Sequence, residues 1–540
     1  MDSHTTLTPS QRSRAHGSDS GSARARPAML SASALAMCLL LAACGGSGGN
    51  AGNADLTAEQ QCQALKGQKY GEATISDATF SLATASIPEN CLVVGQLPKA
   101  LTFNMRLPTQ WNQRIVFTGG GGFDGVITDP STDPNVSPNL VKNGYVTIVS
   151  NHGHDSGGAS PFAAASWALD EVMFADYATE SVPRVLASAR LILKTRYGAT
   201  VDASKAVFEG CSGGGRRALM QAQRHPELFD GIVARAPANA YNPQFLWYQK
   251  IHKQLSRPGA ALSAAKIKTI SNAAYAKCDA MDGLADRIIG RPDACQFDPV
   301  ELQCTGAESD SCLTPVQVES ARAFYAPTSI AGGRYTWPGF PVGGEEGSFF
   351  TGSDWGGASS KGLMEGYLKY MVARDPSIDP LQLKPEEHTA RIDELVRILD
   401  ATDPDLTQFK QRGDKMILWT GQSDWLITAN NATEYYGKVV EKMGGQAATD
   451  EFLEYYTAPG VGHCALGNGA DSVDLVGPVF EWLEKGTPPR STAITASTRY
   501  LPPGQVAKNR PLCRYPQYPH YVGGDPNAAA SFVCTQADNK

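Results

Sequence analysis

The sequence lacks the basic clusters that nucleic-acid binding requires. Lys and Arg number 47 against 54 Asp and Glu, the formal net charge is −7, and no stretch is rich in Lys or Arg. We therefore expect no nucleic-acid partner. The sequence also lacks a CxxC pair or a Cys/His cluster at ligand spacing, which argues against zinc. Nothing in it predicts a protein partner or an organic cofactor.

Long apolar runs are also missing, apart from one near the N-terminus. Basic residues precede an apolar stretch at 29–43, which ends in Leu-Ala-Ala-Cys and is too short for an ordinary membrane-spanning helix. This pattern predicts a lipoprotein-type signal peptide over 1–44, with a lipid anchor at Cys44. An ordinary secretory signal is the alternative. Residues 45–61 are predicted to be a flexible tether. The protein would be periplasmic, anchored to the outer membrane, or secreted.

Cysteine, by contrast, is plentiful. Ten cysteines follow the signal region, and an even number behind an export signal indicates disulfides formed in an oxidising compartment. Spacing alone leaves the connectivity open. Pairing sequence neighbours gives Cys62–Cys91, Cys278–Cys295, Cys304–Cys312 and Cys513–Cys534, and leaves Cys211 for Cys464.

Strand and helix patterns alternate over two parts of the chain. Such alternation predicts an α/β fold with a mostly parallel sheet flanked by helices. The predicted core strands are 114–118, 145–150, 205–209, 231–236, 415–420 and 451–457. The alternation stops near 240, and a structureless loop of that length would be rare. We therefore expect a first core part at 62–239, an inserted lid domain at 240–411, and a second core part at 412–540.

A Gly-Cys-Ser-Gly-Gly sequence joins the predicted strand 205–209 to a helix-forming stretch. The G-x-S-x-G pattern in this context is typical of the nucleophile elbow of the α/β-hydrolase fold. Its glycines allow a sharp turn that lifts the Ser212 hydroxyl above the sheet. An ordinary glycine-rich turn is the alternative interpretation.

The nucleophile needs a base and an orienting acid, which in this fold follow in the order serine, acid, histidine. Asp424 follows the strand 415–420 and His463 follows the last strand, so both fit that order. Asp414 and Asp471 are weaker candidates because neither directly follows a strand. A turn-capping role for Asp424 and a buried structural role for His463 are the alternatives.

Cys211 precedes Ser212, and Cys464 follows His463. A disulfide between them would hold the two catalytic side chains close together, because bonded cysteines keep their Cα atoms about 4.4–6.8 Å apart. An oxyanion hole needs two backbone N–H donors. We assign these to Gly213 and, within the run 119–122, to Gly122.

The motifs G-C-S-G-G-G-R at 210–216, G-Q-S-D at 421–424 and G-H-C at 462–464 together resemble the tannase and feruloyl esterase family. The resemblance extends from about 62 to 534. It implies an α/β-hydrolase fold, hydrolysis of aromatic carboxylic esters outside the cytosol, and five disulfides in the pairing given above.

The resemblance also implies a structural calcium ion in the lid. Its ligands would be the side chains of Asp279, Asp282 and Asp286 with the backbone oxygens of Leu284 and Ile288. Closely spaced carboxylates suit this hard cation, although the spacing is not that of an EF-hand and Asp-rich turns also cap helices.

The lid is where the sequence departs from relatives that hydrolyse terephthalate monoesters, which hold the substrate's free carboxylate with a lid arginine. The stretch 352–367 contains no arginine, and Lys361 is its nearby cation. An ester of a phenolic acid, of feruloyl or galloyl type, is therefore the expected substrate. Aromatic residues could stack on its acyl group or simply pack, namely Phe349, Phe350, Trp355 and Tyr367.

Two enzyme functions other than phenolic ester hydrolysis would use the same residues. A terephthalate monoester hydrolase or a peptidase or amidase would employ the same triad. A surface binding protein that has lost catalysis belongs to another class. The complete triad argues against that last interpretation.

Overall fold

The computed structural model describes residues 56–347, 357–499, 501 and 506–536. Short β-branched and aromatic runs form its strands. These are β1 (Lys69–Tyr70), β2 (Ala73–Ser81), β3 (Asn90–Gln96), β4 (Thr102–Pro108), β5 (Arg114–Gly119), β6 (Val146–Ser150), β7 (Lys205–Cys211), β8 (Gly231–Arg235), β9 (Thr328–Ile330), β10 (Tyr335–Trp337), β11 (Lys415–Gly421), β12 (Leu453–Ala458), β13 (Thr495–Ser497), β14 (Asn509–Pro511), β15 (Cys513–Arg514), β16 (Tyr518–Tyr521) and β17 (Phe532–Thr535).

Helices follow most of the core strands, and several begin at a Ser, Thr or Asp cap. They are α1 (Ala58–Gln63), α2 (Glu171–Ala175), α3 (Ser181–Tyr197), α4 (Gly213–Arg224), α5 (Tyr241–Leu255), α6 (Ala264–Cys278), α7 (Pro315–Tyr325), α8 (Ala358–Gly366), α9 (Thr389–Leu399), α10 (Thr407–Gln411), α11 (Ala429–Lys442), α12 (Gln446–Thr449) and α13 (Val476–Lys485). Among the described residues, no helix has the length and apolar character needed to cross a membrane.

An eleven-stranded sheet forms the centre, in the order β1-β2-β3-β4-β6-β5-β7-β8-β11-β12-β15. The six strands from β6 to β12 in that order pair in parallel. These six are the predicted core strands, and the predicted α/β fold with a parallel core flanked by helices is confirmed. The strands β1–β4 and β15 pair antiparallel, so the whole sheet is mixed. Antiparallel strands tolerate one solvated face, and the first four residues of β2 alternate buried and exposed positions accordingly.

The parallel strands are buried on both faces. Phe208 on β7 and Leu418 on β11 belong to an apolar cluster that includes residues of α3, α4 and α11. Val207 and Ile417, one position before each of them, belong to a second cluster with residues of α13. Each of these side chains is 0% exposed, and its burial contributes about 1.5–3 kcal/mol. The strand ends that carry the candidate site are thus held in a rigid layer.

The segment between β8 and β11 is inserted between two neighbouring parallel strands of the sheet. It contains α5 to α10 and the β9–β10 hairpin. Its side chains, including Trp247, Trp337 and Tyr367, form an apolar cluster together with core residues such as Phe123 and Trp167. The predicted lid limits, 240 and 411, fall beside the start of α5 and at the end of α10. The residues that the structure describes nevertheless form one compact unit.

Parts of the N-terminal and lid predictions fall outside the described residues. These are the signal peptide 1–44 with Cys44, most of the tether, and Phe349, Phe350 and Trp355. The tether prediction is wrong at its end, because residues 58–61 lie in α1. Thr57 and Gln60 cap that helix reciprocally, which supplies partners for N–H groups that would otherwise be unpaired.

Candidate active site

Ser212 lies in a sharp turn between β7 and α4. Its backbone has φ 62° and ψ −119°, a conformation that is strained for a non-glycine residue. The turn requires close backbone contacts. A Cβ on Gly210 would lie 2.6 Å from the carbonyl carbon of Gly214, and one on Gly214 would lie 2.4 Å from the Gly119 oxygen. These contacts explain the two flanking glycines of the G-x-S-x-G motif.

Asp424 and His463 lie side by side after β11 and β12. His463 Nδ1 is 2.8 Å from Asp424 Oδ2. Asp424 Oδ1 accepts the N–H groups of Leu426 and Ile427, each at 2.8 Å. Because an ionised carboxylate only accepts hydrogen bonds, Nδ1 carries the proton and Nε2 remains free to accept one. The aspartate therefore fixes both the tautomer and the orientation of the imidazole.

The two weaker acid candidates are engaged elsewhere. Asp414 pairs with Arg412 at 3.0 Å, just before β11 begins and thus at the opposite end of that strand from Asp424. Asp471 accepts the backbone N–H groups of Leu466 and Arg499. The partners of both carboxylates are thus groups other than His463. Asp424, which contacts His463 Nδ1, is the acid that the geometry favours.

Cys211 and Cys464 form a disulfide with a Cα–Cα distance of 5.8 Å. Both half-cystines are buried against Ala236. The bond therefore joins the residue before Ser212 to the residue after His463. The other disulfides are Cys62–Cys91, Cys278–Cys295, Cys304–Cys312 and Cys513–Cys534, as the pairing of sequence neighbours suggested.

The glycine run leaves the sheet beside the nucleophile, since Gly119 of β5 pairs with Gly210 of β7. Gly121 is the residue of the run that faces Ser212. A Cβ on Gly121 would lie 3.6 Å from Ser212 Cβ and 4.0 Å from its Oγ. The Gly122 N–H, our candidate oxyanion donor, belongs to the peptide between Gly121 and Gly122, so it lies next to the residue that faces Ser212. Gly122 itself has φ 60°, with no room for a side chain against the Pro161 carbonyl.

Buried charges lie next to the glycine run, and no sequence motif predicted them. Asp124 pairs with Arg217 of α4 at 2.5 Å. His152 accepts the Gly120 N–H on Nε2 at 3.4 Å and contacts Ser181 Oγ through Nδ1 at 3.0 Å. Burial, followed by the nearby Arg217 charge, lowers the pKa of His152 well below its usual value, so this imidazole is neutral. His154 stacks on Trp167 instead of joining that network.

Of the lid side chains predicted near the substrate, Tyr367 is buried and Lys361 is exposed. Tyr367 is fully buried and donates to Asn242 Oδ1 at 2.6 Å, so its ring packs in the lid core and is not available for stacking. Lys361 is exposed on α8. Burial of His252, and then the positive charge of Lys361, lower the pKa of His252 to about 4. His252 also contacts Ser360 Oγ at 3.1 Å. As a single histidine in a helical pattern, it offered no sequence signal.

The acidic loop predicted to bind calcium is stabilised by protein groups. Asp279 accepts the N–H groups of Arg287 and Ile288, Asp282 accepts that of Leu284, and Asp286 pairs with Arg510 at 2.6 Å. Within the part of the chain that the structure describes, no three His, Cys, Asp or Glu side chains are arranged to hold a metal ion.

The same loop retains two features that suit a cation. A Cβ on Gly290 would lie 2.3 Å from Asp282 Oδ2, so the glycine leaves room for that carboxylate. Burial, and then the like charges of Asp286 and Asp279, raise the pKa of Asp282 to about 7. The donor set of carboxylates and carbonyls is the chemistry that calcium prefers.

Comparisons with known proteins agree with this geometry. The family described as "Tannase and feruloyl esterase" matches residues 86–535. The mono(2-hydroxyethyl) terephthalate hydrolase of Piscinibacter sakaiensis is 30% identical over 85% of this chain and 86% of its own length. A probable feruloyl esterase of Arthroderma benhamiae is 31% identical over 80% of this chain and 81% of its own.

Solved structures show the same fold. Feruloyl esterase B from Aspergillus oryzae superposes with a TM-score of 0.75 at 21% identity, covering 88% of this chain and all of the other. Tannin acyl hydrolase from Aspergillus niger gives a TM-score of 0.69 at 20% identity, covering 89% and 95%. The fold is therefore that of an α/β-hydrolase, and the chain belongs to the tannase and feruloyl esterase family of carboxylic ester hydrolases.

Proposed function

We propose that this esterase uses Ser212, His463 and Asp424 as a catalytic triad and acts through an acyl-enzyme on esters of aromatic, phenolic acids. The observation that carries the proposal is the disulfide between Cys211 and Cys464. Its two cysteines are the immediate neighbours of Ser212 and His463, and His463 already contacts Asp424. The three side chains thus follow the ends of β7, β11 and β12, in the chain order serine, acid, histidine that is typical of this fold.

In the proposed reaction, Ser212 Oγ attacks the ester carbonyl carbon and gives its proton to His463 Nε2. Asp424 keeps the imidazole oriented and stabilises its positive charge. The carbonyl oxygen becomes an anion that accepts the N–H groups of Gly213 and Gly122. The imidazolium then protonates the leaving alcohol, which departs and leaves the acyl-enzyme. Water, deprotonated by His463, attacks the acyl carbon and releases the aromatic acid and free Ser212.

The relatives favour two acyl groups. One relative is named a hydrolase of mono(2-hydroxyethyl) terephthalate and another a probable feruloyl esterase, at nearly equal identity. The lid stretch 352–367 contains no arginine that could pair with a second carboxylate on the substrate. We therefore infer a feruloyl or galloyl ester as the substrate, and retain the terephthalate monoester as the second candidate.

A substrate panel separates these activities. Methyl ferulate, ethyl gallate and mono(2-hydroxyethyl) terephthalate are compared by kcat/KM, with an anilide of ferulic acid as the probe for amidase activity. We expect the highest value for a phenolic ester and negligible anilide cleavage. The Ser212→Ala variant should lose turnover and should not be labelled by a fluorophosphonate. If the parent enzyme is not labelled at Ser212, the proposed triad is wrong.

We also propose that the lid loop binds a structural calcium ion, with side-chain oxygens from Asp279, Asp282 and Asp286 and backbone oxygens from Leu284 and Ile288. The ion would neutralise the carboxylates that now crowd Asp282 and would brace the loop. It takes no part in the ester chemistry. The support is the donor set, the space at Gly290 and the raised pKa of Asp282.

We also propose that the protein is exported and carries a lipid anchor at Cys44. Five disulfides are typical of proteins that fold in an oxidising compartment. Mass spectrometry of the mature N-terminus from cell membranes tests the anchor. A diacylglyceryl-modified Cys44 supports it, whereas an unmodified N-terminus in the soluble fraction indicates an ordinary secretory signal.

A further inference from the structure

A buried ion pair connects the glycine run to the helix that starts at the nucleophile. Arg217 lies on α4, five residues after Ser212, and Asp124 lies two residues after Gly122. Their charged atoms, Nη2 and Oδ2, are 2.5 Å apart, and the side chains are 2% and 0% exposed. Each segment that would contribute a donor to the oxyanion hole thus carries one partner of the same ion pair.

Asp124 shapes the turn of the glycine run. Its backbone has φ 60°, which few residues other than glycine adopt. Its N–H donates to the Gly121 carbonyl at 3.0 Å. Its carboxylate folds back over Gly120, where a Cβ would lie 2.5 Å from Oδ1. The carboxylate therefore cannot move away from Arg217 without disturbing the peptides of Gly120 and Gly121.

Arg217 holds the run a second time, through Tyr177. Its Nη2 donates to the Tyr177 carbonyl at 3.1 Å, and its guanidinium carbon is 4.8 Å from the centre of the Tyr177 ring. The Tyr177 hydroxyl in turn donates to the Gly122 carbonyl at 3.3 Å. This hydroxyl bond and the bond from the Asp124 N–H to the Gly121 carbonyl orient the peptides on either side of Gly122. The remaining anchors of the run come from His152, at the Gly120 N–H, and Pro161, at the Phe123 N–H.

We propose that Asp124 and Arg217 are positioning residues, which hold the glycine run at the distance from Ser212 that the oxyanion requires. The inference rests on the proposed function, since it presupposes that the run supplies a donor. Oxyanion donors act only within about 2.7–3.1 Å of the developing charge. A buried ion pair resists displacement because separating it leaves an unpaired charge in a medium of low dielectric constant. Neither residue needs to touch the substrate.

The test compares Asp124→Asn, Arg217→Met and Arg217→Lys with the parent enzyme. We expect Asp124→Asn and Arg217→Met to lower kcat by at least about 30-fold while KM stays within about threefold, because the lost interaction concerns the transition state alone. Arg217→Lys retains the charge and should recover a large part of kcat. The double variant Asp124→Asn/Arg217→Met should be no slower than the slower single variant, since the pair acts as one unit.

Glu454→Gln is the matched control. Glu454 is also a fully buried carboxylate paired with an arginine, Arg490, but it lies near the start of β12, away from the end that leads to His463. We expect this variant to lose thermal stability with kcat within about twofold of the parent. A second readout is the rate at which a fluorophosphonate labels Ser212, which requires the same oxyanion donors. It should fall in parallel with kcat in the Asp124 and Arg217 variants.

Two results would overturn the inference. One is a kcat within about twofold of the parent in Asp124→Asn. The other is a loss that appears in KM alone. If Asp124→Asn does not fold, parental kcat in both Arg217→Met and Tyr177→Phe, which removes the hydroxyl bond to Gly122, contradicts it equally. Failure of the proposed function gives a different result, since the parent Ser212 would then not be labelled at all.

Discussion

Removing the disulfide between Cys211 and Cys464 tests how the catalytic geometry is held. The perturbation is the double replacement of both cysteines by alanine, which leaves no free thiol to form new pairings. The structure predicts two separate consequences, one for stability and one for turnover. The bond closes a long loop, and it also joins the neighbours of Ser212 and His463.

The effect on stability follows from loop closure. The bonded cysteines are 253 positions apart, for which the chain-entropy relation gives about 5.5 kcal/mol at 25 °C, an upper value. Two other disulfides lie inside this loop, but they shorten it little and the dependence is logarithmic. With an unfolding entropy of about 2.1 cal/mol/K per residue, the corresponding fall in Tm is about 5 °C. Differential scanning calorimetry measures it.

The effect on turnover should be larger than this modest fall in Tm suggests. Misplacing a catalytic group by about 1 Å costs about 100-fold in rate. Without the bond, Ser212 and His463 are held together only by the packing of their separate strands and loops. We therefore expect kcat for methyl ferulate to fall by about 100-fold, measured well below the Tm of the variant, while KM changes little.

The matched control removes Cys304 and Cys312, whose disulfide spans 8 positions in the lid. Loop closure predicts a loss of about 2.5 kcal/mol for that bond. The kcat of this control variant should stay within about twofold of the parent value. The positioning argument is refuted if the variant lacking Cys211 and Cys464 loses stability as expected and yet retains turnover comparable to that of the control.

Three further predictions concern single groups. Asp424→Asn should lower kcat by about 10⁴-fold without unfolding the protein, because the imidazole would lose its orienting acceptor; steady-state kinetics and circular dichroism check this. Burial raises the pKa of Asp400 to about 7, so the folded state binds the proton more tightly and its stability should fall as pH rises from about 4 to about 7. Urea midpoints should show that Asp400→Asn reduces this dependence, and an unchanged pH profile would contradict it. Removing calcium with a chelator should lower the Tm of the parent but not that of Asp282→Asn; a parent Tm that does not respond to calcium would argue against the site.

The core strands could be predicted because their residues carry the signal locally. The run 205–209 appears in the structure as Lys205–Cys211, and 415–420 appears as Lys415–Gly421. Each contains a short apolar run, 206–208 or 416–419, and leads into a glycine-containing turn, the pattern of a parallel strand buried on both faces. The candidate nucleophile and acid follow directly from those strand ends, so their positions were also accessible from sequence.

The antiparallel strands in front of the core were missed for a physical reason. In β2 the buried positions are Ala73 and Ile75 and then Ala78, because the register with β3 shifts between Ile75 and Asp77. A β-bulge of this kind breaks the two-residue alternation by which a half-buried strand is recognised. Without that period, nothing in the local sequence separates the strand from a polar loop.

The ion pair between Asp124 and Arg217 could not be predicted for a different reason. The two residues are far apart in sequence and share no motif. They meet because β5 and β7 are neighbours in the sheet, with Gly119 opposite Gly210. Strand order is a property of the whole chain, so contacts that depend on it are visible only in the folded structure.

The backbone at the two ends of the active-site disulfide indicates why such extensive bracing is needed. Ser212 has φ 62° and Cys464 has φ 65°, and non-glycine residues held in such regions cost about 1–3 kcal/mol each. That cost is tolerated only where the surroundings leave no alternative. On one side Ser212 is held by backbone hydrogen bonds to Arg235 and Ala238. Arg235 is the last residue of the buried strand β8, and Ala238 lies three residues beyond it. On the other side the covalent bond ties Cys464 to Cys211. Because neither turn can relax without moving the other, Ser212 and His463 behave as one rigid unit.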